Sequence, residues 1–316
     1  MLDFVKIFAP ATVANVSCGF DSIGFAVDNM GDEMTFLKTS NKGITIKNIK
    51  GAQGLSLDPL KNAAGVVALA MLKEYPVDFG IEITMNKGFS PGSGLGSSAA
   101  SSGGAAFGVN QLLNKPFSNL ELTKFAMLGE KIACGTPIAD NVAAVIFGGF
   151  ILIRSYEPLD VIKLPVPEDL RLVAIHPQIE IKTKDAREVL PNQIPLNKAV
   201  KQWANVGGLI SGLYTKDYKL ISNSLVDEIV EPKRKHLIPY FDLVKKKAVN
   251  AGALGAGISG SGPTIFSLCE GDSIVENVYK AIKKAYKNKN VDFKLFSSKI
   301  NTEGVKILET KTKSAS

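Results

Sequence analysis

The sequence predicts a mixed helix-and-strand chain in two halves, with its most informative loop in the first half. Three observations carry this reading. The 316 residues suffice for two domains and a substantial buried core. Period-two alternation and helical apolar stripes are both present and interleave along the chain. Finally, the stretch 87–103 sets three glycines and a run of serines between a strand pattern and a helix pattern.

Composition narrows the function classes. With 45% hydrophobic and 21% charged residues the chain reads as a soluble globular protein. No signal-like or membrane-spanning apolar segment is visible. Cys18, Cys134 and Cys269 are far apart and lack metal-ligand spacing, which fits reduced thiols in a cytoplasmic protein. His176 and His236 are the two histidines, which leaves a histidine-based metal site or catalytic triad little to draw on. The net charge of +7 comes largely from lysine runs such as Lys245-Lys246-Lys247 and 280–289. No aromatic interleaving or nucleic-acid module accompanies them, so they read as a solvated basic surface with some attraction for anionic substrates.

Taken in order, residues 4–8 open as a strand. A turn-rich stretch, 9–24, follows and contains Asn15 and Asp21 about Gly19. Their side chains either share a cleft or cap their own backbone. Residues 32–49 alternate as strands around a turn at Asn41-Lys-Gly43, and a helix is expected over 63–73 with Asn62 at its N-cap. Ile81, Ile83 and Met85 alternate with Glu82, Thr84 and Asn86 as a half-buried strand, and 99–113 reads as a buried helix.

Between the last two lie Gly92, Gly94 and Gly96, then Ser97 and Ser98. Glycine permits positive φ and close approach to a ligand. The unpaired N–H groups and dipole of the next helix favour an anion, phosphate above all. The two hydroxyls could bind a phosphate oxygen or a hard divalent cation. A flexible linker would not sit between elements of these lengths, and the common P-loop would need a lysine where Ser97 stands.

A capping box at Ser118 and Glu121 starts a helix to about residue 133, with Glu130 beside its apolar stripe. Glu130 is either a solvated charge or a group that reaches a cation. Asp140 and Asn141 form the one strongly polar pair in an apolar stretch, where a carboxylate without a partner is costly to bury, so the pair is expected to line a site. A strand over 148–154 closes the first half, and the boundary is placed at 155–158. In the second half we expect a strand over 171–175, a polar loop over 182–188 and a helix over 197–213. A basic turn over 231–236 and a second glycine-rich segment, 252–263, come next, the latter leading into a strand over 264–269. A capping box at Ser273 and Glu276 should start an amphipathic helix to about residue 287, followed by a strand over 291–296 and a disordered tail after residue 308.

Three segments together resemble the GHMP kinase superfamily of small-molecule kinases. Ser90-Pro-Gly-Ser-Gly-Leu-Gly-Ser-Ser-Ala99 resembles its central motif, with Pro91 one place later than the family pattern. Ala9-Pro-Ala-Thr-Val-Ala-Asn-Val-Ser-Cys-Gly-Phe-Asp21 and Gly255-Ala-Gly-Ile-Ser-Gly-Ser-Gly-Pro-Thr264 resemble the first and last motifs. Within the superfamily the chain looks most like the homoserine kinases. This closer likeness rests on Ala139-Asp-Asn-Val142, Thr183-Lys-Asp-Ala-Arg187 and Glu231-Pro-Lys-Arg234. The resemblance implies an α+β chain with a ribosomal-protein-S5-like N-terminal domain (1–156) and a ferredoxin-like C-terminal domain (157–308), then a disordered tail (309–316). It also implies a homodimer, Mg-ATP, and L-homoserine as phosphoryl acceptor in threonine biosynthesis.

By the same resemblance Pro91, Gly92, Ser93, Gly94, Leu95, Gly96, Ser97, Ser98, Ala99, Ala100 and Ser101 would wrap the triphosphate, with Asn62 and Lys87 near the adenine. Ser98 and Glu130 would hold Mg²⁺ as hard oxygen ligands. Asn15, Asp21, Asp140, Thr183, Arg187, Arg234 and Gly260 would form the acceptor pocket, Asp binding the ammonium and Arg the carboxylate. Asn141 would sit where hydroxyl and γ-phosphate meet, so Glu130, Asp140, Asn141 and Arg187 are the candidate catalytic residues. Asp140 either takes the hydroxyl proton or mainly holds substrate; the second is favoured, because phosphoryl transfer depends chiefly on positioning and charge stabilisation. Ile138 stands where many homoserine kinases have a histidine. The rivals are another GHMP kinase acting on mevalonate or a sugar, and a non-catalytic ATP-binding regulator on the same fold.

Overall fold

Alternating apolar positions build two sheets, and the computed structural model describes residues 2–312. The first sheet has seven strands: β1 (Phe4–Ala14), β2 (Ile23–Thr39), β3 (Gly43–Lys50), β4 (Gly80–Asn86), β5 (Phe150–Tyr156), β6 (Leu159–Leu164) and β11 (Lys306–Lys311). Its main order is β11-β1-β2-β4-β3, and β5 pairs with both β2 and β6. The turn before Gly43 is present, yet β2 and β3 are not neighbours. β4 lies between them, antiparallel to β2 and parallel to β3.

Four helices cover this sheet: α1 (Ala63–Glu74), α2 (Ser97–Leu112), α3 (Asn119–Cys134) and α4 (Asp140–Phe147). α2 is central, packed on β1, β2 and the other three helices. Its composition explains how it can be so enclosed. A Cβ on Gly104 would fall 2.6 Å from the sulfur of Met34, and one on Gly108 2.2 Å from the Phe36 ring. Ile7, Phe25, Phe36, Ile81, Ile83 and Met85 fill the layer between helices and sheet.

The second sheet contains β7 (Leu170–Pro177), β8 (Gly255–Ile258), β9 (Ile265–Glu270) and β10 (Phe293–Lys299). Its order is β10-β7-β9-β8, antiparallel throughout. Between β7 and β8 run α5 (Thr183–Glu188), α6 (Leu196–Thr215), α7 (Tyr218–Ser224), α8 (Glu231–Arg234) and α9 (Phe241–Asn250), and α10 (Gly271–Tyr286) joins β9 to β10. α9 and α10 pack together against the sheet. With α5 to α8 set aside, the connection is the split βαβ pattern of a ferredoxin-like domain. No described helix is long and apolar enough to cross a membrane.

Several expectations change. β6 pairs with β5 along its length, so the first sheet continues past the 156/157 boundary. Residues 309–311 of the expected disordered tail belong to β11, which covers the free edge of β1; residues 313–316 lie outside the described residues. α10 starts at Gly271, before the expected box at Ser273 and Glu276, and has no side-chain cap. The Gly271 N–H instead donates to Asp169 O at 2.8 Å, a tertiary partner for a helix-start donor. The loop at 182–188 and the turn at 231–236 contain the short helices α5 and α8. Asp227 supports α8 by accepting from the N–H groups of Ile229, Val230 and Glu231.

Because β11 closes an edge of the first sheet, ending the chain after Gly304 should lower the thermal midpoint by about 5 °C or more. An unchanged melting curve would return those residues to a tail without structural weight.

Candidate active site

The glycines at the start of α2 do what L side chains resist. Gly92, Gly94 and Gly96 have φ of +71°, +78° and +70°. Gly96 is the N-cap of α2, so the loop turns its amides toward the space ahead of the helix. The other domain braces this loop. Ser259 Oγ donates to Gly94 O at 2.6 Å, and Thr264 Oγ1 donates to Ser93 O at 2.6 Å. From below, the Thr12 N–H of β1 donates to Leu95 O at 2.9 Å. The second glycine-rich segment thus holds the first loop in shape, a role its sequence alone did not disclose.

A cavity of about 590 Å³ opens in front of the loop and between the two domains. Pro91, Gly92, Ser93, Gly94, Gly96, Ser97 and Ser98 form one wall. Asn15, Asp21, Glu130, Asp140, Asn141, Thr183, Arg187, Arg234 and Gly260 line the rest, together with Ile138. Leu95, Ala99, Ala100 and Ser101 are buried behind the loop and do not line it.

Asn62 and Lys87 also lie outside the cavity wall. The Asn62 carbonyl caps α1, accepting from the N–H groups of Ala64 and Gly65, and its amide donates to Ser56 O. The Lys87 ammonium is buried against the Asp32 carboxylate and donates to Ser97 O and Ser101 Oγ, both at 2.8 Å. It fastens the first turn of α2 to the sheet. Burial lowers the Lys87 pKa and raises that of Asp32, each opposed by the partner's charge.

The end of the cavity away from the loop is rich in charge. Arg187 Nη2 donates to both carboxylate oxygens of Asp21 at 2.8 Å, while its Nε is buried with no hydrogen-bond partner among the described residues. Arg234 is almost wholly buried and donates from Nε to Ala186 O at 2.7 Å and from Nη1 to Gly260 O at 3.2 Å. Burial, and then the neighbouring Arg187, lower its pKa to about 10. Phe20 lies beneath both guanidiniums, its ring centre 5.5 Å from that of Arg187 and 5.1 Å from that of Arg234. Asn15 plays both parts considered for it. Its carbonyl accepts from the Asp21 N–H, a local cap, and its amide donates to Gly260 O across the cavity.

Asp140 begins α4 and is 2% exposed. Desolvation, with the Asp21 charge second, pushes its pKa up to about 7. Its Oδ1 accepts from the backbone and side-chain N–H groups of Asn141. The Asn141 carbonyl in turn accepts from Thr12 Oγ1 at 2.6 Å. Glu130 is likewise buried, and desolvation raises its pKa to about 7 despite a hydrogen bond from Ser98 and the charge of Lys87.

The metal fit rests on that carboxylate. Glu130 Oε1 is buried without a hydrogen-bond partner among the described residues, beside the Ser98 hydroxyl and facing the cavity. Two hard oxygens at a phosphate loop suit Mg²⁺, which is typically held by one or two protein oxygens, phosphate and water. Among the described residues no cluster of three or more His, Cys, Asp or Glu could hold a metal by itself.

Sequence reasoning missed Thr12, Phe20, Ser259 and Thr264. Thr12 and Phe20 stand inside the first motif beside residues that were singled out. Only the folded distances separate them from structural neighbours.

Two predictions follow from these buried charges. Lys87→Met should cost about 3–5 kcal/mol in urea denaturation by stranding Asp32, and adding Asp32→Leu should recover much of it. The second concerns pH. Asp140 and Glu130 bind a proton more tightly folded than unfolded, so the stability they contribute is fully present below about pH 4 and is lost as pH rises through about 7. The ligand-free Glu130→Gln/Asp140→Asn variant should therefore gain on the parent between about pH 5 and about pH 8. A difference independent of pH would contradict the raised values.

Comparison with known proteins agrees with this architecture. Residues 62–149 match the model of the GHMP kinases N terminal domain, and residues 209–288 that of the GHMP kinases C terminal domain. The homoserine kinase of Chlorobium phaeovibrioides is 44% identical, over 96% of this chain and 99% of the relative. That of Methanococcus maripaludis is 42% identical, over 88% and 92%. The crystal structure of homoserine kinase from Cytophaga hutchinsonii superposes with a TM-score of 0.94 at 50% identity, covering 98% of each chain. The L. major mevalonate kinase shares the fold at a TM-score of 0.67 and 16% identity. With this identity sustained from one end of the chain to the other, the protein belongs to the homoserine kinase family of the GHMP kinases.

Proposed function

We propose that the protein transfers the γ-phosphate of ATP to the hydroxyl of L-homoserine, giving O-phospho-L-homoserine, a step of threonine biosynthesis. The observation that carries this reading is one cavity with a glycine phosphate loop on one side and a carboxylate–guanidinium set on the other. A zwitterionic amino acid needs a negative partner for its ammonium and a planar cation for its carboxylate. Asp21 and Asp140 offer the first, and Arg187 and Arg234 the second.

The free protein holds these groups in a mutual standoff. Asp21 and Asp140 repel each other, and Arg187 is paired with Asp21. A substrate ammonium beside the two carboxylates would relieve that repulsion, while Arg187, which lines the cavity and keeps its Nε without a hydrogen-bond partner among the described residues, has donor capacity left for the substrate carboxylate. This favours Asp140 as a substrate holder over Asp140 as a base.

For the transfer itself, the loop amides and the N-terminus of α2 would bear the charge of the phosphates, and Asn141 would donate to oxygen where acceptor and γ-phosphate meet. Ser98 and Glu130 would hold Mg²⁺. When bound, that ion neutralises phosphate charge, the main electrostatic need of a loose phosphoryl-transfer transition state.

The test is ADP release with Mg-ATP, comparing L-homoserine with mevalonate, L-serine, galactose and shikimate. Turnover confined to homoserine is expected. Turnover on another acceptor would indicate a pocket reshaped about Ile138, and ATP binding without any turnover would favour a regulator. Asp140→Asn should raise the homoserine KM about 100-fold while kcat falls much less. An unchanged KM with collapsed kcat would make Asp140 the base.

A further inference from the structure

We infer that Thr12 is a positioning residue that fixes which end of the Asn141 amide faces the reacting atoms. The inference deepens the kinase reading above, although the geometry behind it needs no substrate.

The Asn141 side chain has two neighbours that together determine its orientation. Asp140 Oδ1 already accepts from the Asn141 backbone N–H at 2.7 Å, so it acts as an acceptor there, and the group it meets at 3.2 Å must be the Asn141 amide nitrogen. The opposite end is then the carbonyl, which accepts from the Thr12 hydroxyl at 2.6 Å. With its oxygen tied to Thr12 and one N–H tied to Asp140, the side chain retains one N–H for the cavity. Asn141 therefore presents that N–H to an incoming oxygen, while its carbonyl is held by Thr12 and packed beside the Gly96 backbone. Such a donor suits negative charge on a phosphoryl or attacking oxygen, and it cannot accept the hydroxyl proton.

Thr12 is well placed to enforce this. It is fully buried on β1, and its hydroxyl lies under the phosphate loop. A Cβ built on Gly96 would come 2.0 Å from Thr12 Oγ1 and 2.9 Å from Asn141 Oδ1, so the loop backbone rests directly on the Thr12–Asn141 hydrogen bond. The Thr12 N–H also holds Leu95 O within that loop. One residue thereby sets the register of the anion-binding amides against the Asn141 donor. Valine would keep most of the shape but provide no donor, leaving the amide free to rotate by half a turn.

The test combines kinetics with a readout that needs no turnover. Thr12→Val should lower kcat by about 10- to 100-fold with KM for ATP and homoserine within about threefold, and Thr12→Ser should restore most of it. In an Asn141→Ala background, Thr12→Val should have almost no further effect. In ¹⁵N-labelled protein without ligands, the Asn141 side-chain amide pair, identified by its loss in Asn141→Ala, should shift or broaden in Thr12→Val but not in Thr12→Ser. An equal kcat loss in both backgrounds, a serine variant as impaired as valine, or unmoved Asn141 amide signals would each overturn the assignment. A parent enzyme inactive on homoserine would defeat the proposed substrate and leave the amide signals to decide the role of Thr12.

Discussion

The loop from Pro91 to Gly96 can hold three positive-φ glycines in one anion-binding shape because its carbonyls are tied from both sides. Ser259 and Thr264 reach across from the second domain to Gly94 and Ser93, and the Thr12 backbone takes Leu95. Glycine loses more freedom on ordering than any other residue, so a loop this rich in it would be mobile without such ties. The two domains consequently meet at the loop, as they also do where Arg187 pairs with Asp21 and Asn15 with Gly260 at the cavity.

The same economy governs charge. A buried lysine, Lys87, fastens α2 to the sheet through Asp32, Ser97 O and Ser101 Oγ. On the cavity side, Glu130 and Asp140 are buried, Glu130 Oε1 without a hydrogen-bond partner among the described residues, and desolvation raises the pKa of both. Lys87 and Asp32 satisfy each other, whereas Glu130 at the cavity keeps one carboxylate oxygen unpartnered among the described residues. The proposed ligands, a polyanion, a cation and a zwitterion, would benefit from that contrast, because they would supply what the fold withholds.

Close approach is the third constraint. α2 can run through the centre of the first domain only because Gly104 and Gly108 face Met34 and Phe36 with no side chain between. The serines and alanines around them keep the helix narrow. The phosphate loop is therefore anchored to one of the most enclosed elements in the fold, and a site that depends on sub-ångström placement gains from a base that cannot shift.

The sequence by itself determined the strand–loop–helix unit, most helices and strands, the polar pair at Asp140 and Asn141, and the motifs that carry the family. These are local properties: periodicity, glycine at positive φ, and residue types at fixed spacing. It misjudged α5, α8 and α10; the starts of α10 and α8 depend on Asp169 and Asp227, which lie outside those helices. It also stopped the first sheet too early, because β6 and β11 acquire their meaning from the edges of β5 and β1. Tertiary structure alone decided that Lys87 faces inward to Asp32, that Phe20 underlies two arginines, and that Thr12 holds Asn141. Each of these is a contact between segments distant in the chain, where no period or spacing records which polar group will find which partner once water is excluded.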